Sequence, residues 1–178
     1  MTIAKPSVLN DRRPPFYPKK TLDYVSVFIV TFFGSGLLPK APGTWGTLAS
    51  IPLFWLLTDQ SLTIKVAVLL FILVIGTLAS AQAQIMTRCG DHQSIVIDEV
   101  LGTGITLALT GADWRWFLVG AILFRFFDIV KPPPVNWVDT WSKSKGKNPY
   151  YGGFGVMADD LVAGLQALLV LTLIQKLI

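Results

Sequence analysis

The sequence is short of charge and of the residue types used by most soluble catalytic and redox proteins. Charged residues make up 15% of its 178 residues, whereas soluble domains carry about a quarter. The single cysteine, Cys89, excludes an internal disulfide, and the single histidine, His92, excludes a mechanism that needs two. Neither GxGxxG nor GxxxxGK[ST] occurs, so the common nucleotide-binding classes have no support.

Apolar residues are abundant instead, at 52% of the chain with a mean hydropathy of +0.57. The longest apolar block covers residues 66–83 and carries no formal charge, and its length is close to the roughly 20 residues that cross a bilayer as a helix. Residues 116–130 would form only about 22 Å of helix, less than a full crossing. We therefore predict an all-α fold, a polytopic membrane helical bundle with short, partly re-entrant helices. Its apolar blocks are 24–33, 46–58, 64–85, 100–110, 116–130 and 160–177.

The distribution of Lys and Arg predicts the orientation of this bundle. Long polar loops are expected at 34–45, 86–97 and 131–158, and short ones at 59–63 and 111–115. If the long loops share one side with a basic N-terminal tail, residues 1–23, most basic residues lie there, and cytoplasmic loops are the basic ones. Residues 24–178 then form one membrane-embedded domain whose long loops face the cytoplasm. The basic residues on that side are Lys5, Arg12, Arg13, Lys19, Lys20, Lys40, Arg88, Lys131, Lys143, Lys145 and Lys147.

Five acidic residues stand in or beside the apolar blocks, at their cytoplasmic ends. The pairs Asp98-Glu99 and Asp159-Asp160 each precede an apolar run, where acids also cap helices and favour the helix dipole. Asp128 ends a block, and its local alternative is an ion pair with Arg125, three residues earlier. Five converging carboxylates would repel one another, and a hard divalent cation resolves this. Oxygen ligands without a Cys/His set indicate Mg²⁺ or Mn²⁺.

The glycine-rich segment 34–50, GSGLLPKAPGTWGTLAS, resembles an anion cradle. Backbone N–H groups at a glycine-rich helix start bind phosphate, although small residues also permit tight helix packing. Arg125 and Lys131 could add positive charge to the same site. The candidates within the segment are Ser35, Lys40, Gly43, Thr44 and Thr47.

Four blocks of the sequence resemble, in order and spacing, the phosphatidylglycerophosphatase A family. They read APGTWGTLASIP, DHQSIVIDEVLG, FRFFDIVKPPPVNWVD and GGFGVMADDLVAG, and together they cover most of residues 34–165. The resemblance implies a Mg²⁺-dependent phosphatase of the bacterial cell inner membrane that hydrolyses phosphatidylglycerophosphate to phosphatidylglycerol and phosphate. It implies a phospholipid substrate. We expect a membrane environment, no nucleic-acid ligand and no obligate protein partner. The matching positions are Asp91, Asp98, Glu99, Asp128, Lys131, Asp159 and Asp160, with His92 and Ser94 as further polar candidates.

Two other function classes fit parts of the pattern. Acids in apolar segments and glycine-broken helices also occur in ion- or proton-coupled transporters, but here the acids gather at one face and no inverted repeat is evident. A Mg²⁺-dependent phosphatidyltransferase would also use an acidic cluster. Its acids would be expected in one extended motif, whereas these fall in three separate blocks.

Overall fold

The computed structural model describes residues 16–88, 92–144 and 148–177, with no side-chain detail at 143 and 144. This part of the chain contains seven α-helices, one short 3-10 helix at Ser35–Leu37, and no strand. The prediction of an all-α fold is therefore confirmed. The helices are α1 (Thr21–Val30), α2 (Pro42–Leu56), α3 (Leu62–Thr87), α4 (Ile97–Leu107), α5 (Trp114–Val130), α6 (Val135–Ser144) and α7 (Pro149–Leu177).

Two of these helices, α3 and α7, are long and apolar enough to cross a membrane. Large apolar side chains cover the outer surface of α3, where Phe71, Val74 and Leu78 are each more than half exposed. An apolar surface of this extent is costly in water and suits lipid. The structure therefore indicates a membrane-associated protein with two long helices and several shorter ones.

The segment 131–158 differs from the loop predicted there. It contains all of α6 and the first turns of α7. Prolines end α5 but are compatible with a helix start, and the N–H groups of Val135 and Val138 donate to the carbonyls of Pro132 and Pro134. The new helix is amphipathic, with Val135 fully buried and Trp137 exposed. A search for apolar blocks misses such a helix because polar residues interrupt its sequence.

The second acidic pair, Asp159-Asp160, does not lie at the start of a helix. Asp98 and Glu99 do stand in the first turn of α4. Asp159 and Asp160, by contrast, lie about three turns into α7, because this helix begins at Pro149. The capping interpretation of that second pair is therefore wrong, and its position inside a helix needs another explanation.

Helix α7 forms the centre of the bundle and packs against α3, α4, α5 and α6. It packs closely against α4, a helix in which every residue from 100 to 107 is buried. A Cβ added to Gly164 of α7 would lie 2.6 Å from the carbonyl oxygen of Gly102 in α4. A Cβ added to Gly102 would lie 2.8 Å from the carbonyl oxygen of Asp160 and would also overlap the Phe124 ring. These two glycines let the backbones touch and so set how close Asp160 comes to α4.

We expect Gly164→Ala to destabilise the bundle by about 1–3 kcal/mol, because the new methyl group meets backbone that cannot move aside cheaply. Thermal unfolding in detergent measures the change. Gly111→Ala is the matched control, since a Cβ at that loop position meets nothing within 4 Å. Equal unfolding temperatures for the two variants would show that the glycine contact does not control this crossing.

Candidate active site

A cavity of about 410 Å³ lies where the start of α4, the end of α5, the middle of α7 and the first residues of α2 meet. All five acids singled out in the sequence line this cavity, together with Arg125 and Lys131. The convergence of three separate sequence blocks is thus a feature of the structure. The lining residues are Ala41, Pro42, Gly43, Gln93, Ile95, Asp98, Glu99, Arg125, Asp128, Lys131, Asp159 and Asp160.

Three of the acids form the innermost group. One carboxylate oxygen from each of Asp98, Glu99 and Asp160 lies within 4.8 Å of the other two. Asp160 is 3% exposed, so bulk water does not screen its charge. Within the described residues, Oε2 of Glu99 and Oδ2 of Asp160 are buried and take part in no hydrogen bond. Buried carboxylate oxygens of this kind are costly alone and fit a hard divalent cation.

The Glu99 carboxyl shows the same electrostatic conflict. Burial raises its pKa and the charge of Asp128 adds to the rise, against the opposing effects of a hydrogen bond with Asp98 and the nearby Arg125 charge. A cation bound among these carboxylates would favour their ionised forms. The protein side chains alone therefore leave the innermost group short of positive charge.

Arg125 supplies part of that charge. Its Nη1 lies 2.6 Å from Oδ2 of Asp128 and 3.4 Å from Oε1 of Glu99. The local pair between residues 125 and 128 considered from the sequence is therefore present. It does not remove Asp128 from the site, since both partners line the cavity.

Lys131 also lines the cavity and lies between two aspartates. Its Nζ is 2.6 Å from Oδ1 of Asp139 and 2.6 Å from Oδ2 of Asp159. Burial acts to lower the pKa of Lys131, but hydrogen bonds and charge attraction from the two aspartates outweigh it and raise the pKa. Lys131 is therefore a permanent cation at neutral pH. Asp139 was missed in the sequence because it belongs to the unpredicted helix α6, eight residues after its partner.

The predicted anion cradle is only partly brought to the cavity. Gly43 lines it, and a Cβ there would collide with Oε1 of Glu99 and lie 2.8 Å from Nη1 of Arg125. The other predicted members of the cradle, Ser35, Lys40, Thr44 and Thr47, are not among the lining residues. The reason is that 35–37 form a 3-10 turn and α2 already begins at Pro42, so only residues 41–43 reach the cavity.

The DHQS candidates lie beside the cavity. His92 is buried, its Nδ1 accepts a hydrogen bond from the Ser94 N–H at 3.2 Å, and its ring packs against Phe16. Gln93, which was not singled out, lines the cavity instead. Asp91 and Cys89 lie outside the described residues, as do Lys145 and Lys147.

Comparison with known proteins gives a consistent result. The family model for phosphatidylglycerophosphatase A matches residues 28–175. The chain is 40% identical over 134 residues to "Phosphatidylglycerophosphatase A" of Escherichia coli, covering 75% of this chain and 73% of that protein. It is 39% identical over 146 residues to the Haemophilus influenzae protein of the same name, covering 80% and 84%.

A further relative carries a different name. A Bacteroides thetaiotaomicron protein, named as a proposed phosphatidylinositol-3-phosphatase, is 34% identical over 167 residues, which covers 90% of this chain and 94% of the relative. No solved structure matches the chain. The family match spans four fifths of the chain and includes every residue of the cavity. The chain therefore belongs to the phosphatidylglycerophosphatase A family.

Proposed function

We propose that this protein is a lipid phosphomonoester hydrolase that converts phosphatidylglycerophosphate to phosphatidylglycerol and phosphate at the cytoplasmic face of the cell inner membrane. The observation that carries the proposal is one cavity lined both by an inner group of three carboxylates and by the cations Arg125 and Lys131. The names of the Escherichia coli and Haemophilus influenzae relatives support the choice of lipid.

Mg²⁺ is the proposed cofactor, held by Asp98, Glu99 and Asp160. Their oxygens lie close enough to share one ion, and the set is all carboxylate, which is the chemistry this ion prefers. When bound, it supplies positive charge to the phosphoryl oxygens and lowers the pKa of coordinated water. The sequence predicted metal binding by all five acids. Asp128 and Asp159 form close ion pairs with Arg125 and Lys131, so the proposed ligand set is restricted to the other three acids.

The remaining groups of the cavity bind the phosphate and move protons. We assign Arg125 and Lys131 to the phosphoryl oxygens, where fixed cations stabilise the charge of the transition state. Water attacks phosphorus, the bond from phosphorus to the glycerol oxygen breaks, and that oxygen leaves as an alcohol after gaining a proton. Asp128 and Asp159 are the carboxylates available to take the proton from water, since both line the cavity outside the inner group.

The proposed orientation follows from the ends of the helices. Arg88 ends α3 and Lys131 ends α5, and the cavity lies at this same end of the bundle. Lys65 and Arg115 stand in the first turns of those two helices, at the opposite end. Together with the basic tail at 1–23, this asymmetry supports a cytoplasmic cavity in a domain formed by residues 24–178.

Removing divalent metal should abolish the reaction. We expect purified protein in detergent micelles to release phosphate from phosphatidylglycerophosphate with Mg²⁺, to stop in EDTA, and to resume when Mg²⁺ is restored. Phosphatidylglycerol, followed by mass spectrometry, should accumulate one-for-one with phosphate. Undiminished release in EDTA would contradict the metal assignment, and a missing lipid product would contradict the substrate.

Asp160→Asn should lower phosphate release by at least about 100-fold, because it removes the most buried charge among the three proposed ligands. Binding of Mn²⁺, followed by electron paramagnetic resonance, should weaken in parallel and gives a readout independent of turnover. Asp59→Asn removes an equal charge from an exposed turn and should leave both properties unchanged. Normal Mn²⁺ binding by Asp160→Asn would remove this residue from the metal site.

Asp139→Asn tests whether this residue acts through Lys131. We expect about a tenfold loss of kcat/KM, because Lys131 loses one of the two carboxylates that fix its ammonium group. Lys131→Met should lose more, and adding Asp139→Asn to it should cause little further loss. A double variant whose losses multiply would show that Asp139 has a separate role. If Asp139→Asn lowers kcat/KM but keeps the wild-type pH profile, Asp139 acts by positioning the Lys131 ammonium group.

A further inference from the structure

A second cavity, of about 580 Å³, lies between the segment before α1 and the last turns of α3. It shares no lining residue with the active-site cavity. Three of its residues are basic and exposed, and the others include two apolar side chains of α3. We call this cavity the basic groove; it is lined by Tyr17, Lys19, Lys20, Asp23, Gln82, Ile85, Met86 and Arg88.

The two sides of the basic groove are held together by the hydrogen bonds of one buried carboxylate. Oδ2 of Asp23 accepts hydrogen bonds from the backbone N–H groups of Lys19 and Lys20, at 2.8 and 3.0 Å. Oδ1 accepts a third from Nε2 of Gln82 in α3, at 2.7 Å. Asp23 is 6% exposed, so these bonds fix the path of the chain before α1 against α3.

The same arrangement leaves the cations of the groove available. The Asp23 carboxylate is occupied by two backbone donors and one amide, rather than by an ammonium group. Among the described residues, the side chains of Lys19, Lys20 and Arg88 form no ion pair. Three positive groups therefore line an opening in which Asp23, the one acid among the described lining residues, already accepts three hydrogen bonds.

The position of the groove relates it to the membrane surface. Arg88 directly follows α3, one of the two helices long enough to span a bilayer. Ile85 is half exposed inside the groove, and the neighbouring helix α1 turns Val25 and Phe28 outward. Cations at the end of a spanning helix, beside apolar side chains, match the boundary between phosphate headgroups and acyl chains.

We propose that the basic groove binds one anionic phospholipid, distinct from the lipid that reacts. Its headgroup phosphate contacts Lys19, Lys20 and Arg88, and its acyl chains run along Ile85 and the outer surface of α1. A soluble phosphate would gain nothing from that apolar wall, so a lipid is the favoured occupant. The groove lacks the group of three carboxylates that marks the active-site cavity, and we assign it binding without chemistry.

Native mass spectrometry of the full chain in detergent tests this proposal with phosphatidylserine and phosphatidylcholine of equal chain length. Phosphatidylserine is charged but carries no phosphomonoester, so its binding does not depend on turnover. We expect one phosphatidylserine to bind at least tenfold more tightly than phosphatidylcholine. Equal affinity for the two lipids would overturn the proposal.

The variant Lys19→Gln/Lys20→Gln/Arg88→Gln should remove this preference. Each basic group near an anionic lipid is worth about a fivefold factor in affinity, so single changes such as Arg88→Gln should already show a measurable loss. The matched control, Lys65→Gln/Arg115→Gln/Lys176→Gln, removes three charges elsewhere in the bundle and should keep the preference. An equal loss in both triple variants would mean that net charge, rather than the groove, attracts the lipid.

A competition experiment distinguishes binding of a whole lipid from binding of its headgroup alone. Millimolar glycerol 3-phosphate, added to the lipid-bound protein, should fail to displace phosphatidylserine. Complete displacement would replace the proposal with a site for small phosphates. The unfolding temperature of the groove variant should equal that of the wild type, because each of its three substituted residues is exposed.

Discussion

The arrangement of the site depends on one constraint, which is that several carboxylates must share a space with little water. Glu99 and Asp160 are withdrawn from solvent and face each other across the contact between α4 and α7. Burial raises the free energy of each charge, and proximity raises it again. Arg125 and Lys131 relieve Asp128 and Asp159 through close ion pairs. What remains is an inner group whose charge a divalent cation would balance.

The packing of the backbone serves the same constraint. Gly102 and Gly164 allow α4 and α7 to touch, and the carbonyl of Asp160 lies against Gly102. A wider crossing would carry Asp160 away from Glu99 and disperse the inner group. Gly43 plays the equivalent part in α2, since any side chain there would occupy the space taken by Glu99 and Arg125. Glycines in this protein thus matter through close approach more than through flexible loops.

Much of this was predictable from the sequence, and the failures share a physical cause. Apolar blocks located six helices because lipid-facing and core-facing helices are both apolar, and residue spacing alone identified the Arg125–Asp128 pair. Helix α6 was missed because polar residues interrupt the apolar ones along its sequence, so no apolar block is visible there. Asp139, which lies in this helix, was missed for the same reason. The number of hydroxyl groups from segment 35–47 that reach the cavity was overestimated. The sequence shows several hydroxyl donors there but does not show where α2 begins. Contacts between residues close in sequence can be predicted from their spacing. Contacts between distant segments depend on tertiary packing, which the sequence pattern does not show.

The position of Glu99 at the start of its helix favours hydrolysis over transport. A carrier needs a binding site that opens in turn to both sides of the membrane, usually near its middle. Here Glu99 stands in the first turn of α4, and every residue from 100 to 107 beyond it is buried. Phe124 and Leu171 fill the neighbouring space and are fully buried. The Glu99 carboxylate therefore lies at one end of a close-packed apolar core, which suits a headgroup that reaches the site from one membrane surface and leaves by the same route.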